Sequence, residues 1–267
     1  EGKPKEILVK TPAEVASLPN ESCDDIVYLG ACKATIEALN DKLAPRAILN
    51  IVLGGKTIGQ PVSVGIGHVH YGMTRWTGTT GSDPGESYRT IPANGELRRG
   101  DSVLVIGAGG PMGQMHVIRA VCSGVPDITV VGTDMDDARL ESLLQKAGPL
   151  ASANGVALRL VNTQKTPVTD RFRYIALMAP IGALVANAIR DGAEGAVINI
   201  FAGIPAPTRH DLDLDTYIAR RIFMFGTSGS EIRDMKIVLS KVENRTLDTN
   251  CSVDAISGMA GAVDGIA

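Results

Sequence analysis

The residues best suited to chemistry in this sequence are a cluster of glycines followed by one carboxylate. The apolar segment Val103 to Ile106 runs directly into a glycine turn, and Asp134 lies 21 residues after Gly113. Glycines lack a Cβ, so they allow a sharp turn and let the backbone approach a pyrophosphate closely. An acid at this distance can accept both hydroxyls of a ribose. The pattern predicts a dinucleotide site with Asp134 on the adenosine ribose and a phosphate turn formed by Gly107, Gly109, Gly110, Pro111, Met112 and Gly113.

The elements around this turn must then be a strand, a helix and a second strand. Val103 to Ile106 predicts a buried parallel strand, residues 112 to 123 predict a helix, and Ile128 to Val131 predicts the next strand. The spacing is GxGGxxG, which also contains GxxGxxG, so the sequence leaves open which glycines face phosphate. A turn that serves only close packing between helix and strand is the alternative interpretation.

From Gly100 onward, short apolar segments alternate with helical patterns. This alternation predicts right-handed crossovers and one doubly wound parallel sheet. The ligand should lie at the carboxyl ends of the strands, so Ala179 after the fourth strand and Phe201 and Ala202 after the fifth should flank the nicotinamide. The predicted strands are 103–106, 128–131, 157–161, 173–177, 196–201 and 222–225.

The N-terminal residues resemble the second half of this pattern. Strand, helix, strand and a Gly-Ser-rich turn occur in the same order in both places, which predicts an internal repeat of a half-domain. Chance similarity between two ordinary α/β segments is the alternative. The aligned residues are Tyr28 with Tyr174, Asn50 with Asn199, Gly78 with Gly226, Gly81 with Gly229 and Ser82 with Ser230.

The repeat leads to a prediction of domain organisation. We expect a partial Rossmann-like α/β unit at residues 1–92 and a dinucleotide-binding domain at residues 93–267, separated by a polar, turn-rich stretch between Ser82 and Gly100. The fold class is therefore α/β, a doubly wound parallel sheet (Rossmann) preceded by a second, partial Rossmann-like unit. Because residues 1 to 90 match only the second half of the repeat, we expect their first half upstream of Glu1.

Composition limits the classes of partner. The 267 residues carry a net charge of −3 and only 4% aromatic residues, so neither a basic field nor stacking platforms for nucleic acid are expected. No apolar run approaches the roughly 20 residues of a membrane span. The four cysteines are isolated from one another, which is typical of a reducing compartment, and the cytoplasm is the expected location. A small-molecule substrate is the expected partner.

The histidines do not form a convincing metal site. His68 and His70 form the one paired motif, and on a strand both rings would lie on one face, but no third ligand is visible. We therefore expect a surface or packing role for them, and a solvated or local hydrogen-bonding role for His116 and for His210 in a polar loop. No metal site is predicted, and the catalytic residues stay unknown.

The sequence resembles the coenzyme domain of the medium-chain dehydrogenases/reductases, the zinc-type alcohol and polyol dehydrogenases. The resemblance covers about residues 100 to 267 and rests on GDSVLVIGAGGPMG, DMDDARL, VINIFAG and FGTSGS. In that family the acid stands five residues before the Arg of an Arg-Leu pair, as Asp134 stands before Arg139, which adds Arg139 to the cofactor residues. The doubled half-domain departs from the ordinary plan and most resembles a longer subgroup of threonine- or sorbitol-dehydrogenase-like proteins and sugar-phosphate reductases.

The resemblance implies the NAD(H)-binding part of an NAD-dependent alcohol or polyol oxidoreductase, with sugar phosphates included among the substrates. The family's zinc ligands and proton relay lie in an N-terminal domain that no stretch here matches. We therefore expect this chain to be inactive alone and zinc to belong to the full-length protein. Asp134 favours NAD over NADP, because a carboxylate repels a 2′-phosphate.

Two other interpretations stay open. A non-catalytic nucleotide-binding or regulatory Rossmann module would also fit, with the first repeat having lost its phosphate turn. A short-chain-type enzyme is a weaker option, because the expected Tyr-x-x-x-Lys is absent at both Tyr28 and Tyr174. A homo-oligomer is a further expectation, since the strand from Arg221 to Phe225 could be an edge that pairs in a dimer.

Overall fold

The computed structural model describes residues 6–226, 228–250, 253 and 255–266, in which strands and helices alternate. The strands are β1 (Cys23–Leu29), β2 (Leu43–Val52), β3 (Val62–Val64), β4 (Arg75–Thr79), β5 (Ser102–Ile106), β6 (Thr129–Asp134), β7 (Ala157–Asn162), β8 (Phe172–Leu177), β9 (Gly192–Ile200), β10 (His210–Leu212) and β11 (Phe223–Phe225). The helices are α1 (Lys33–Asn40), α2 (Gly67–Tyr71), α3 (Pro84–Arg89), α4 (Pro111–Val121), α5 (Asp137–Ala153), α6 (Gly182–Asp191), α7 (Leu214–Ala219) and α8 (Ile232–Glu243). Within these ranges no helix combines the length and apolar character that a membrane span needs.

The main sheet has six strands in the order β11-β9-β8-β5-β6-β7. The pairs β5–β6, β6–β7, β8–β9 and β9–β11 are all parallel. Numbered by their order in the predicted set, the strands run 6-5-4-1-2-3, which is the doubly wound topology of the Rossmann fold. A separate three-stranded parallel sheet, β1-β2-β4, precedes it. Both parts of the predicted fold class are confirmed.

The chain divides by its contacts into two compact units, Glu1–Gly95 with Asp170–Ser228, and Glu96–Thr169 with Gly229–Ala267. The division into domains at 1–92 and 93–267 stays a prediction, because grouping by contacts is a different quantity from a boundary between folding domains. The second unit contains β5, β6 and β7 together with α4 and α5. Its core combines β-branched strand residues with one face of each helix, namely Val103, Val105, Val130, Val117, Val121, Leu140 and Leu143.

The first unit contains the same series of elements twice: β1-α1-β2-β3-α2-β4 and β8-α6-β9-β10-α7-β11. The strand register makes the correspondence quantitative. Cys23 pairs with Leu43, and Phe172 pairs with Gly192, so the second pair lies 149 residues after the first. Each pair is followed by the same shift in register. The repeat inferred from the sequence is therefore a repeat of backbone structure.

The register also corrects one detail of the sequence alignment. Tyr28 pairs with Ile51 and Leu177 pairs with Ile200, so Leu177 is the structural equivalent of Tyr28. The prediction that Tyr28 corresponds to Tyr174 was wrong. Backbone hydrogen bonds fix strand register, and a shared aromatic side chain does not.

The prediction for His210 was also wrong, and the strand geometry considered for His68 and His70 does not occur. His68 and His70 lie on the short helix α2 and not on a strand, so residues two apart do not share a face. His210 begins β10, which pairs antiparallel with β3, and does not lie in a loop. Both elements are only three to five residues long, which is too short for hydrophobic periodicity to reveal them.

Candidate functional site

The glycine turn is formed where the buried strand β5 ends and α4 begins. Gly107 has φ of +81°, a left-handed conformation that other residues rarely adopt. Its N–H and that of Ala108 both donate to the carbonyl oxygen of Thr133 on β6, at 2.9 and 2.8 Å. The turn is thereby fixed against the strand that ends in Asp134.

Gly113 is required for close packing of helix and strand. A Cβ at this position would lie 2.1 Å from the carbonyl oxygen of Gly107 and 2.6 Å from Cα of Ala108. Both atoms belong to the backbone, so they cannot move aside as a flexible side chain would. Gly132 on β6 plays a similar part, because its Cβ would lie 3.0 Å from Cβ of Ala108. These contacts hold the start of α4 against the carboxyl end of β5.

Asp134 lies at the carboxyl end of β6, where it contacts the glycine turn directly. Its Oδ2 accepts a hydrogen bond from the backbone N–H of Gly109 at 2.9 Å. Its Oδ1 accepts from the N–H groups of Met135 and Asp136, at 2.8 and 3.2 Å. Oδ2 therefore keeps acceptor capacity beyond Gly109, because a carboxylate oxygen can accept two hydrogen bonds. The carboxylate is oriented by the backbone before any ligand binds.

The structure distinguishes the surroundings of the two middle glycines of the turn, Gly109 and Gly110, which the sequence spacing could not do. A Cβ on Gly109 would lie 2.7 Å from Cβ of Arg139 and 2.8 Å from Oδ2 of Asp134. A Cβ on Gly110 would have the Gly107 carbonyl oxygen as its nearest neighbour, at 3.8 Å. The pattern that the geometry requires is thus Gly107, Gly109 and Gly113, and Gly110 is the additional residue.

Helix α4 presents its N-terminus at this turn. Gly110 is the N-cap and Pro111 is the first helical residue, where the missing N–H of proline costs nothing. The N–H groups of Met112 and Gly113 have no acceptor inside the helix, and they add to the positive end of the helix dipole. An anionic group such as a phosphate could be bound by these two donors.

Two residues that were not predicted from the sequence stabilise the turn through hydrogen bonds. Gln114 donates through Nε2 to the carbonyl oxygen of Gly109 at 3.0 Å, and Lys146 on α5 donates to Gln114 Oε1 at 3.3 Å. Gln114 lies five residues after Gly109, a spacing that could have signalled the contact. Lys146 could not have been found, because it is 32 residues further on in another helix.

Arg139 belongs to the first turn of α5, beside the glycine turn. Its backbone N–H donates to Oδ1 of the N-cap residue Asp136 at 3.1 Å, and its side-chain Nε lies 3.8 Å from Asp136 Oδ2. Its Cβ faces Gly109, while its side chain is 63% exposed. Arg139 is therefore brought together with Gly109 and Asp134, and its role in cofactor binding stays a prediction.

The remaining predicted residues lie in the first unit. Ala179 follows β8, and Phe201 and Ala202 follow β9, so all three lie at carboxyl ends of parallel strands as expected. The N–H of Ala202 donates to the carbonyl oxygen of Leu177 at 2.9 Å, which joins the two strand ends. Their contact with nicotinamide stays a prediction.

His70 takes a packing position, and His116 makes a local contact within its helix. His70 is buried, and its Nδ1 lies 3.2 Å from the carbonyl oxygen of Ile200. His116 on α4 contacts the carbonyl oxygen of Met112 through Nδ1 at 2.8 Å, and burial lowers its pKa. Over the part of the chain that the structure describes, no group of three His, Cys, Asp or Glu residues is placed to hold a metal ion.

The geometry around Asp134 fits a dinucleotide. The helix N-terminus offers N–H donors to phosphate, and the oriented carboxylate offers an acceptor to ribose hydroxyls. Each feature comes from residues whose types the sequence already singled out.

Comparison with known proteins supports the assignment of the fold. No protein-family model matches the chain. Over 177 residues it is 29% identical to the uncharacterized protein YggP of Escherichia coli (strain K12). The aligned region covers 61% of this chain and 41% of YggP.

Two solved structures share the fold. One is a short chain alcohol dehydrogenase (rspB) from E. coli CFT073 complexed with NADH, with a TM-score of 0.51 and 20% identity over 67% of this chain and 51% of that chain. The other is alcohol dehydrogenase TADH from Thermus sp. ATN1, with a TM-score of 0.50 and 19% identity over 64% of this chain and 49% of that chain. The chain thus spans about half the length, or less, of the relatives it matches. At this identity the likeness concerns the fold, and the chain has the Rossmann-type fold found in these alcohol dehydrogenases.

Proposed function

We propose that this chain is the NAD(H)-binding part of an alcohol or polyol oxidoreductase, with sugar phosphates among the candidate substrates. The observation that carries the proposal is the hydrogen bond of 2.9 Å from the Gly109 N–H to Asp134 Oδ2. It joins the phosphate turn to the acid that would bind the ribose, so both halves of an adenosine diphosphate would meet prearranged groups.

The pyrophosphate would lie over the N–H groups of Met112 and Gly113, where the dipole of α4 favours negative charge. The adenosine ribose would donate its hydroxyls to Asp134, whose Oδ2 keeps acceptor capacity beyond Gly109. When bound, NAD would supply the hydride acceptor for oxidation of an alcohol.

The proposal favours NAD over NADP. A 2′-phosphate on the ribose would lie against the Asp134 carboxylate, and like charges at hydrogen-bond distance repel. An arginine near the ribose can accept a 2′-phosphate in NADP enzymes. Here the backbone N–H of Arg139 donates to Asp136, and the Arg139 Nε lies near the carboxylate of the same residue. Because Arg139 lies beside this acid, the contacts support NAD as the preferred form.

We further propose that residues outside this chain complete the catalytic site. The relatives with the same fold are about twice as long as the part that this chain matches. The resemblance implies zinc in the complete protein, and this chain would contribute the residues that bind the cofactor. The free thiols of Cys23, Cys32 and Cys122 support a reducing compartment, for which we propose the cytoplasm.

Calorimetric titration of the chain with NADH and NADPH tests this proposal. We expect Asp134→Ala to weaken NADH binding by about tenfold or more, since a charge-assisted hydrogen bond contributes more than about 1.4 kcal/mol, and to affect NADPH far less. Asp137→Ala is the matched control, because this carboxylate contacts Asn162 and Lys165 and not the glycine turn. Equal weakening of both nucleotides, or no binding by the unaltered chain, would contradict the proposal.

The regulatory-module alternative needs a different measurement. A longer protein that contains this chain would be tested with zinc for NAD reduction against a panel of polyols and sugar phosphates. Tight NADH binding without turnover of any of them would favour the non-catalytic module.

A further inference from the structure

The two repeats of the first unit meet at a pair of equivalent residues. Strands β3 and β10 pair antiparallel, with Ser63 opposite Asp211, Val62 opposite Leu212 and Val64 opposite His210. Ser63 and Asp211 are 148 residues apart, which is also the separation of the equivalent positions Arg75 and Phe223 that begin β4 and β11. When a residue pairs with its own equivalent, the two repeats are related by a two-fold axis through that pair.

A second contact has the same symmetry. A Cβ on Gly78 of β4 would lie 2.6 Å from the Ile51 carbonyl oxygen and 2.8 Å from Cγ1 of Ile218. A Cβ on Gly226 would lie 2.9 Å from the Ile200 carbonyl oxygen and 2.9 Å from Cα of His70. Gly78 and Gly226 are equivalent, as are Ile51 and Ile200, and His70 and Ile218. The glycine of each repeat therefore packs against the equivalent helix residue of the other repeat: Gly78 against Ile218, and Gly226 against His70.

The helices show the same two-fold relation. Helix α7 of the second repeat contacts β4 of the first, and α2 of the first contacts β11 of the second. The interface between them is a buried apolar core, with Val62, Val64, Val69, Trp76, Leu212, Tyr217 and Met224 each at most 1% exposed. Tyr217 fixes the arrangement further, since its hydroxyl donates to the Trp76 carbonyl oxygen at 2.9 Å and accepts from the Met224 N–H at 2.9 Å.

We propose that the first repeat acts as a built-in partner subunit. It occupies, within the same chain, the surface at which a second copy of residues 172–225 would pair about a two-fold axis. A homodimer closes such an interface with two identical patches, and here the repeat supplies both patches in one polypeptide. The surface formed by β3, β4, β10 and β11 therefore binds no second chain, and a homo-oligomer would have to use another surface. This inference does not depend on the proposed cofactor.

The pair Ser63 and Asp211 offers a direct test. The Ser63 N–H donates to Oε1 of Glu37 at 2.8 Å, so Ser63 and Asp211 do not exchange the two backbone bonds of a hydrogen-bonded pair. Ser63 and Asp211 thus form a non-hydrogen-bonded pair, for which Cα atoms lie about 4.5 Å apart, within the range that a disulfide spans.

The experiment oxidises the full chain carrying Ser63→Cys and Asp211→Cys and identifies the linked peptides by mass spectrometry. The two single variants carry the same natural cysteines and are the matched controls. We expect a link between positions 63 and 211 within one chain, in the double variant only. A link between the same positions of two chains, or no link in the folded double variant, would overturn the proposal.

Chemical unfolding of the unaltered chain gives an independent readout. Stability that depends on association rises with protein concentration, whereas an interface within one chain gives a constant midpoint. We expect the same urea midpoint over about a hundredfold range of concentration. A midpoint that rises with concentration, together with the interchain link, would show that the two-fold interface forms between chains.

Discussion

The Asp134 carboxylate accepts a hydrogen bond from the backbone N–H of Gly109 at 2.9 Å. This contact connects the carboxyl end of β6 with the turn between β5 and α4, two segments that the sequence separates by 25 residues. It assigns different roles to the two adjacent glycines of the turn, because Gly109 touches Asp134 and Arg139, while a Cβ on Gly110 would have no neighbour closer than 3.8 Å.

Alanine at position 109 should therefore impair nucleotide binding. The new Cβ would lie 2.8 Å from Asp134 Oδ2 and 2.7 Å from Cβ of Arg139, so the carboxylate must leave its present position. We expect Gly109→Ala to reduce the affinity for NADH about tenfold or more in a calorimetric titration, which corresponds to more than about 1.4 kcal/mol.

Gly110→Ala is the matched control, one residue away. Its Cβ has no heavy atom closer than 3.8 Å, and its φ of −75° is accessible to alanine. We expect its NADH affinity to stay within about threefold of the unaltered chain, with a small loss of helix stability because alanine is a poor N-cap. If Gly110→Ala lost as much affinity as Gly109→Ala, the distinction between the two glycines would be refuted.

The sequence predicted the arrangement of the glycine turn, α4 and Asp134 as far as that arrangement is local. The glycine turn, the following helix and Asp134 are recognisable because each element needs particular residue types at fixed spacing. Which glycine contacts Asp134 depends on how β5 and β6 pair, and that information is not in the spacing. Lys146 was missed for the same reason, since only the packing of α5 against α4 brings it to Gln114.

The fold was predictable to a similar limit. Long apolar strands gave the six-stranded sheet, because parallel strands buried on both faces have a clear composition. The three-residue strands β3 and β10 carry no such signal, and the central pair that joins them, Ser63 and Asp211, is 148 residues apart. The two-fold relation between the repeats depends on that pair, so the sequence showed the repeat and not its symmetry.

Gly113 should be essential for stability rather than for binding alone. A Cβ there would lie 2.1 Å from the Gly107 carbonyl oxygen and 2.6 Å from Cα of Ala108, and neither backbone atom can move without displacing the turn. Overpacking of this kind costs about 1–3 kcal/mol. We expect Gly113→Ala to lower the free energy of unfolding by about 2 kcal/mol or more in urea.

Gly258 provides the comparison for this measurement. No heavy atom lies within 4 Å of its Cβ position, and its φ of −79° suits alanine. Gly258→Ala should therefore change the free energy of unfolding by less than about 0.5 kcal/mol. Similar losses in both variants would mean that the backbone contacts of Gly113 do not limit stability.

His116 makes the stability of the protein sensitive to pH. Burial is the main cause that lowers its pKa, Arg119 adds to the effect, and the hydrogen bond to the Met112 carbonyl oxygen opposes it. In the unfolded chain a histidine titrates at about pH 6.5. Below that pH the unfolded state binds more protons than the folded state at this position, so the free energy of unfolding falls as the pH falls.

Replacing His116 by glutamine removes this contribution, because an amide does not titrate. We expect the free energy of unfolding of His116→Gln to fall less between about pH 7.5 and about pH 5.5 than that of the unaltered chain. Urea titrations at the two pH values give this difference within each protein, so any constant loss of packing in the variant cancels. Equal falls in both proteins would show that the His116 ring is protonated in the folded state at the same pH as in the unfolded chain.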